Sequence, residues 1–516
     1  MKMKLLSLAI LGSLALPALA KDVTILHTND IHAHLTPFKA PYVSKDRLVG
    51  GFANITTFVK EEKALNDATF FFDAGDYFSG PYVSTLTQGK AIVDTMNTMG
   101  YDAASIGNHE FDHGWDNTLV QLSQATFPVL LGNVFYENSD VPFWNKPYQI
   151  IEKDGVKLGV IGLHGVFAFN DTVAAKMRIG IEARDEIAFA QKYIDEIRDN
   201  VDITVLLIHQ GTPARQSSYG ASDVTRALNK DIETAKLLKN LDVLVTGHAH
   251  VGTPEPIVVN DTLIVSTDSA GINVGKLTLD FNEKTRDIDG HTFSLNTIYA
   301  DEWKADAGTQ AVIDGWYKKL DEITAQKIGH SPVTLSRSYG ESSPLGNMVA
   351  DAMLAVDENA VAAFTNSGGI RNDIAQGDIT IGNVISAFPF PNAMVTMTIK
   401  GGDLLALLNH AANLSNGVMQ VSQGMDMVYD SSKPVGERLI SASINGKKIA
   451  ADSLYPIVTN TFLADGGDGF SQFLNGQNAK EMPGYYVSDA VTDYLKVTTL
   501  DSNKITPLRV KDTAQQ

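Results

Sequence analysis

The chain of 516 residues contains no cysteine. A disulfide and a cysteine-linked lipid are excluded, so core packing must hold the fold, and any transition metal must be held by His, Asp, Asn or Gln. Long apolar runs are scarce as well. The one present, residues 5–16, follows Lys2 and Lys4 and ends at Pro17-Ala18-Leu19-Ala20. That is the pattern of a secretory signal peptide, with cleavage expected between Ala20 and Lys21. The run is shorter than the ~20 residues of a membrane span, so no membrane anchor is expected, and the processed chain is expected to be periplasmic or secreted. Basic charge is in deficit: 41 Lys and Arg stand against 60 Asp and Glu, a formal charge of −19 that becomes about −21 once Lys2 and Lys4 are removed. This opposes binding of long nucleic acid or of anionic membranes, but not of a small phosphorylated ligand whose charge is met locally by metal. Internal repeats and low-complexity segments are absent too.

What the chain has in quantity is a repeated theme. Apolar runs at residues 23–26, 69–72, 103–106, 129–131, 158–163, 203–208 and 243–245 each lead into a polar cluster. Helix-like stretches, such as 181–198 and 223–240, lie between several of them. Strand-length runs alternating with helices indicate an α/β fold with sheets covered by helices. Around residues 301–327 the pattern turns helical, with Ala311, Ile313, Trp316, Leu320 and Ile323 spaced by threes and fours. We read a signal peptide over 1–20, a first domain over 21–305, a linking helix over 306–330 and a second domain over 331–516. The second domain opens with a helix near 347–356 and has strand candidates at 360–364, 394–399, 425–428 and 454–458.

The chemistry sits at the ends of the apolar runs. After residues 23–26 come Asp30 and His32, which share one side of an extended chain and could reach one cation. After 69–72 comes Gly75-Asp76, where the Asp76 carboxylate could place one oxygen on each of two metals. After 103–106 comes Gly107-Asn108-His109-Glu110-Phe111-Asp112, after 203–208 comes His209, and after 243–245 comes Gly247-His248-Ala249-His250. Packing does not account for five metal-competent clusters at strand ends, which is where ligands gather in such sheets. Of the 12 histidines, His27, His34, His113, His164, His291, His330 and His410 read as structural or solvated. Asp73 and Glu110 read as structural neighbours of the ligands. His109, directly after Asn108, does not read as a ligand, because neighbours in a turn seldom face one ion.

This ordered set resembles the calcineurin-like metallophosphoesterases. The resemblance implies a four-layer α/β/β/α sandwich and two divalent ions, with zinc, manganese, cobalt and magnesium all open. It implies that Asp30, His32, Asp76 and His250 hold one ion and that Asp76, Asn108, His209 and His248 hold the other. It further implies that His109 and Asp112 form a catalytic dyad, and that a hydroxide generated between the ions attacks phosphorus.

In the second half stand Asn366-Ser367-Gly368-Gly369-Ile370-Arg371, then Phe388-Pro389-Phe390-Pro391-Asn392, then a segment holding Phe462 and Asp468. Together these resemble the C-terminal, α+β substrate-binding domain of the exported bacterial 5'-nucleotidase family. That resemblance implies that Phe390 and Phe462 clasp a base, Asp468 holds the ribose hydroxyls, Arg371 meets phosphate or ribose, and Asn366 and Asn392 lie beside the nucleoside. It also implies rotation of one domain against the other. Relatives place an arginine where Tyr339 stands here, with Arg337 two residues earlier. The implied activity is hydrolysis of nucleoside 5'-monophosphates by a monomer or dimer. Alternatives are cleavage of nucleotide-sugars or dinucleotides, 2',3'-cyclic nucleotide hydrolysis, thiosulfohydrolysis, and a non-enzymatic exported nucleotide-binding protein.

Overall fold

The computed structural model describes residues 20–212, 221–413 and 416–515; the signal-peptide segment, residues 1–19, lies outside the described residues. Two six-stranded sheets build the first domain. One runs in the order Asp287–Thr297, Asn273–Asn282, Ala20–Thr28, Thr69–Asp73, Ala103–Ser105, Val129–Leu130, and its last four strands are parallel. The other runs Ile257–Val259, Thr262–Val265, Val243–His248, Ile203–Gln210, Val156–His164, Tyr148–Lys153, with a parallel centre of four. Seven of the eight parallel strands are the apolar runs of the sequence, buried on both faces as such strands must be; the eighth, Thr262–Val265, lies outside those runs. Alternation along them sorts the side chains. Val23, Ile25, Phe70 and Phe72 of the first sheet meet Leu158, Val160, Val205 and Val243 of the second in one core. Leu26, Phe71 and Ala104 point the other way, towards Phe52, Ile92 and Met96 of helices. On the far side of the second sheet, Ile161, Leu206 and Leu244 pack under Ala190, Ile194 and Ile232. The layers are therefore helix, sheet, sheet, helix, as expected.

Three local expectations change. Residues 181–198 are not one helix: Ile181–Ala183 pairs as a strand with Val134–Tyr136. The helix starts only at Glu186, where the Asp185 carboxylate accepts from the Ile187 and Ala188 N–H groups. Residues 223–240 split into Ala221–Ala227 and Asn229–Leu237, separated by Leu228 at φ −95°, ψ 18°. The linking helix is Ala307–Thr324, capped by Asp306; it buries Ile313 and Leu320, but Ala311 and Ile323 face solvent.

The second domain has a five-stranded sheet, in the order Met419–Val421, Ala362–Asn366, Leu454–Asn460, Ala393–Lys400, Gln477–Tyr486. Helices Pro344–Leu354 and Val487–Val497 pack on one face and Gly401–Ala411 on the other. The domains touch directly: the Tyr82 N–H donates to Ser386 Oγ at 3.0 Å, Thr85 Oγ1 donates to the Pro389 carbonyl at 3.2 Å, and Lys176 pairs with Glu481.

One buried residue of the first sheet makes a stability prediction. His27 is fully buried, neither ring nitrogen has a hydrogen-bond partner, and its ring stacks on Phe293 at 6.1 Å. Gly275 opposite leaves the necessary room, since a Cβ there would lie 2.1 Å from His27 Nε2. Burial pushes the imidazole down from 6.5 to about 3. Below about pH 6.5 the unfolded chain takes up a proton that the folded chain refuses, so stability falls as pH drops from there and is whole above it. The Tm advantage of His27→Phe over the wild type is expected to grow by a few degrees between about pH 8 and about pH 5. A constant offset across that range would show that protonation is not the cause.

Candidate active site

The parallel strands of both sheets end at one edge, and the polar clusters lie just past those ends. The backbone there is unusual. Asp30 (φ 51°), His32 (φ 42°), Asp76 (φ 61°), His248 (φ 75°) and His250 (φ 56°) all adopt left-handed conformations. Each costs a non-glycine residue about 1–2 kcal/mol, and such strain gathers where geometry serves a function. Asp30 and His32 therefore do not share a face of an extended strand. The strand ends at Thr28, and a left-handed turn brings the two side chains together.

Six of the seven expected ligands converge, and the seventh, Asn108, lines the same cleft. Side-chain atoms of Asp30, His32, Asp76 and His250 lie within 4.8 Å of one another, as do those of Asp76, His209 and His248, so that Asp76 belongs to both groups. His209 Nε2 is 3.0 Å from Asp76 Oδ2, and His250 Nε2 is 3.4 Å from Asp30 Oδ1. Second contacts aim the rings. His209 Nδ1 faces the Ala74 carbonyl at 2.8 Å and His32 Nδ1 faces the Ser79 carbonyl at 3.1 Å, which leaves both Nε2 atoms to the centre. Asn108 Oδ1 and His248 Nε2 are buried without a hydrogen-bond partner, and the 3.0 Å approach of His209 Nε2 to Asp76 Oδ2 lacks hydrogen-bond geometry, so those two atoms are unsatisfied as well. Unsatisfied atoms on these side chains, three of which lie within 4.8 Å of one another, fit divalent cations, because buried polar groups otherwise find partners. Charge agrees with geometry. Burial opposes protonation of His209, but the Asp76 carboxylate and then Asp30 outweigh it and lift its pKa to about 10: the pocket calls for positive charge.

His109 and Asp112 are joined by a 2.7 Å contact between Nδ1 and Oδ2, and Ser79 Oγ also donates to Asp112. His109 Nε2 lies 3.9 Å from Asp76 Oδ2, facing the same centre. Burial opposes charging the ring, but the carboxylates of Asp112 and Asp76 outweigh it and raise its pKa. Glu110 does more than neighbour the ligands. Its Oε2 accepts from the Asp76 and Gly107 N–H groups at 3.0 and 2.6 Å, and its Oε1 accepts from Tyr77 and Phe78 at 2.9 and 3.0 Å. One carboxylate thus ties two ligand-bearing loops together.

A cleft of about 1540 Å³ runs from this centre into the second domain and is lined there by Asn366, Arg371, Phe390, Asn392, Phe462 and Asp468. Arg371 Nη2 is 3.1 Å from His32 Nε2. Phe390 and Phe462 both line the cleft, and the ring partner of Phe390 here is His109, stacked at 5.3 Å and 18°. Arg337 also lines the cleft, and its guanidinium donates to the Arg371 carbonyl. Tyr339 packs over Gly417, where a Cβ would lie 2.8 Å from its ring.

Residues 23–252 match the calcineurin-like phosphoesterases, and residues 326–475 match the 5'-nucleotidase C-terminal domain. The chain belongs to the 5'-nucleotidase family. As a member it is a metal-dependent phosphoric ester hydrolase. It is 28% identical to the trifunctional nucleotide phosphoesterase protein YfkN of Bacillus subtilis over 94% of this chain, which spans about a third (34%) of that longer protein. It is 27% identical to the 5'-nucleotidase of Bos taurus, covering 94% of this chain and 90% of the bovine one. Among solved structures, that of the 5'-nucleotidase precursor of Thermus thermophilus superposes with a TM-score of 0.81 at 27% identity, covering 95% of this chain and 99% of that one. The 5'-nucleotidase fold thus extends through both domains and the linking helix.

Proposed function

We propose that this protein hydrolyses nucleoside 5'-monophosphates to nucleoside and inorganic phosphate, with two divalent cations held by Asp30, His32, Asp76 and His250 and by Asp76, Asn108, His209 and His248. The observation that carries the reading is a single cleft, lined from the first domain by Asp76, Asn108 and His248, each with an unsatisfied buried atom, and from the second by Phe462, Asn392 and Asp468. When bound, the cations supply Lewis-acid charge for the phosphoryl oxygens and acidify a water. The chain's own residues do the rest. Arg371, beside His32, meets the phosphate anion and neutralises part of its charge. His109, held by Asp112, presents Nε2 towards the oxygen that leaves with the nucleoside. Phe462 offers a ring for the base and Asp468 an acceptor for the sugar hydroxyls.

The test is phosphate release from nucleoside 5'-monophosphates by the purified protein. Release is expected to cease on chelation and to return with zinc, manganese, cobalt or magnesium. Release that persists after complete chelation would exclude the cation centre. Cleavage of a 2',3'-cyclic nucleotide or a thiosulfonate with none of the monophosphates would exclude the substrate. The size of the cleft favours a second, longer substrate, since ordinary ligand pockets span about 300–1,000 Å³. A nucleotide-sugar in the same assay examines it. We also propose export, supported by the leader pattern of residues 1–20; amino-terminal sequencing of the processed protein should begin at Lys21.

A further inference from the structure

Asp468 is held in an unusual way. It sits at φ 55° between Gly467 and Gly469, is 7% exposed, and lines the cleft. Its Oδ2 accepts from Asn366 Nδ2 at 2.8 Å, and its Oδ1 accepts from Asn416 Nδ2 at 2.6 Å. His410 Nε2 lies 2.9 Å from its backbone carbonyl and braces the turn from beneath. Asn416 comes from a different part of the chain, just before the strand Met419–Val421, and also lines the cleft. Asn366 Oδ1 is buried with no hydrogen-bond partner. The amide orientations are fixed by Asp468 itself, because a flipped amide would set oxygen against oxygen.

The chemistry of this arrangement is one-sided. An ionised carboxylate offers about four lone-pair sites, and two amide donors occupy one on each oxygen. The remaining sites, with the free Asn366 Oδ1, form an array of acceptors. A vicinal diol, which brings two O–H donors side by side, matches it; an aliphatic or deoxygenated sugar does not. The array works only while Asp468 is ionised. Burial and then the negative charge of Asp171 push Asp468 up to about 7, whereas the amides of Asn416 and Asn366 and the charge of Arg371 pull it down.

We infer that Asn416 is a positioning residue for ribose selectivity: through its bond to Asp468 Oδ1 it keeps that carboxylate oriented and acceptor-ready for a 2',3'-diol. The inference rests on the nucleotide reading of the site and adds to it a residue outside the catalytic and base-binding groups. An isolated asparagine with no motif around it carries no signal in the sequence.

The experiment compares a ribonucleoside 5'-monophosphate with its 2',3'-dideoxy counterpart in the wild type, Asn416→Ala and Asn416→Asp. The second variant keeps the shape of the side chain but sets a carboxylate against Asp468. For the ribonucleotide, Asn416→Ala is expected to raise KM about tenfold with kcat within about twofold, the size of effect expected from one hydrogen bond to a charged group. Asn416→Asp is expected to raise KM further. The dideoxynucleotide lacks the diol, so the ratio of kcat/KM between the two substrates should fall about tenfold in Asn416→Ala and by more in Asn416→Asp. Equal losses on both substrates, or a change confined to kcat, would overturn the inference and leave Asn416 a packing residue. If one variant fails to fold, the other still reads the ratio. The wild-type arm stands apart: no turnover of any nucleoside monophosphate would remove the nucleotide reading, and this inference with it, whereas normal wild-type turnover with an unchanged ratio removes the inference alone.

Discussion

Asp76→Asn is expected to lower kcat/KM for phosphate release by at least about 10⁴-fold. Loss of one group that stabilises developing charge costs about 10²–10³, and Asp76 belongs to both ligand groups. The substitution is mild in every other respect. Asparagine tolerates the left-handed φ of 61° at this position. Its amide oxygen can still accept the His109 N–H, now 2.8 Å from Asp76 Oδ1. What it removes is the charge that, with Asp30, makes the pocket attract cations. Elemental analysis of the purified variant should find its content of divalent cations well below that of the wild type, with an unchanged far-ultraviolet circular dichroism spectrum. A variant that binds the same cation content and keeps a tenth of the activity would show that Asp76 is not the shared ligand.

The positions of the site residues are legible in the sequence because each follows a run of buried strand. Residues 69–72 or 203–208 must end at an edge of the sheet, and the polar residue after each must stand at that edge. The conformation of those residues is not legible. Pairing Asp30 with His32 by strand alternation reaches the right partners through the wrong backbone: the chain turns left-handed there, and no periodicity encodes that. Glu110 reads as a mere neighbour because its work is done on the N–H groups of Asp76, Tyr77, Phe78 and Gly107, which side-chain patterns do not display. The hairpin Asn273–Asn282 and Asp287–Thr297 completes the first sheet but escapes the apolar pattern. Its outer strand is half exposed, with no fully buried residue and charges along it, and so lacks the signature of the central strands.

His109→Ala is expected to lower kcat for a nucleoside 5'-monophosphate by about 10²–10⁴, the range of a positioned proton donor. The geometry says which step should suffer. Asp112 takes the Nδ1 side of the ring at 2.7 Å, so the proton available for transfer is the one on Nε2, which faces the cation centre. The carboxylates of Asp112 and Asp76 outweigh burial and raise the His109 pKa above its ordinary value, which favours a proton on Nε2. A nucleoside 5'-oxygen is a poor leaving group and needs a proton as its bond to phosphorus breaks, whereas p-nitrophenolate leaves without one. The loss in His109→Ala should therefore be severe for the nucleotide and at least about tenfold smaller for p-nitrophenyl phosphate. Asp112→Asn should follow the same pattern at reduced size, about 10–100-fold on the nucleotide, as expected for a partner that orients the ring without touching the substrate. Equal losses on both substrates would assign His109 to charge stabilisation on the phosphoryl group rather than to the leaving oxygen. Undiminished turnover of both would leave the His109–Asp112 pair as a structural bond, with the stack on Phe390 as its remaining role at the domain boundary.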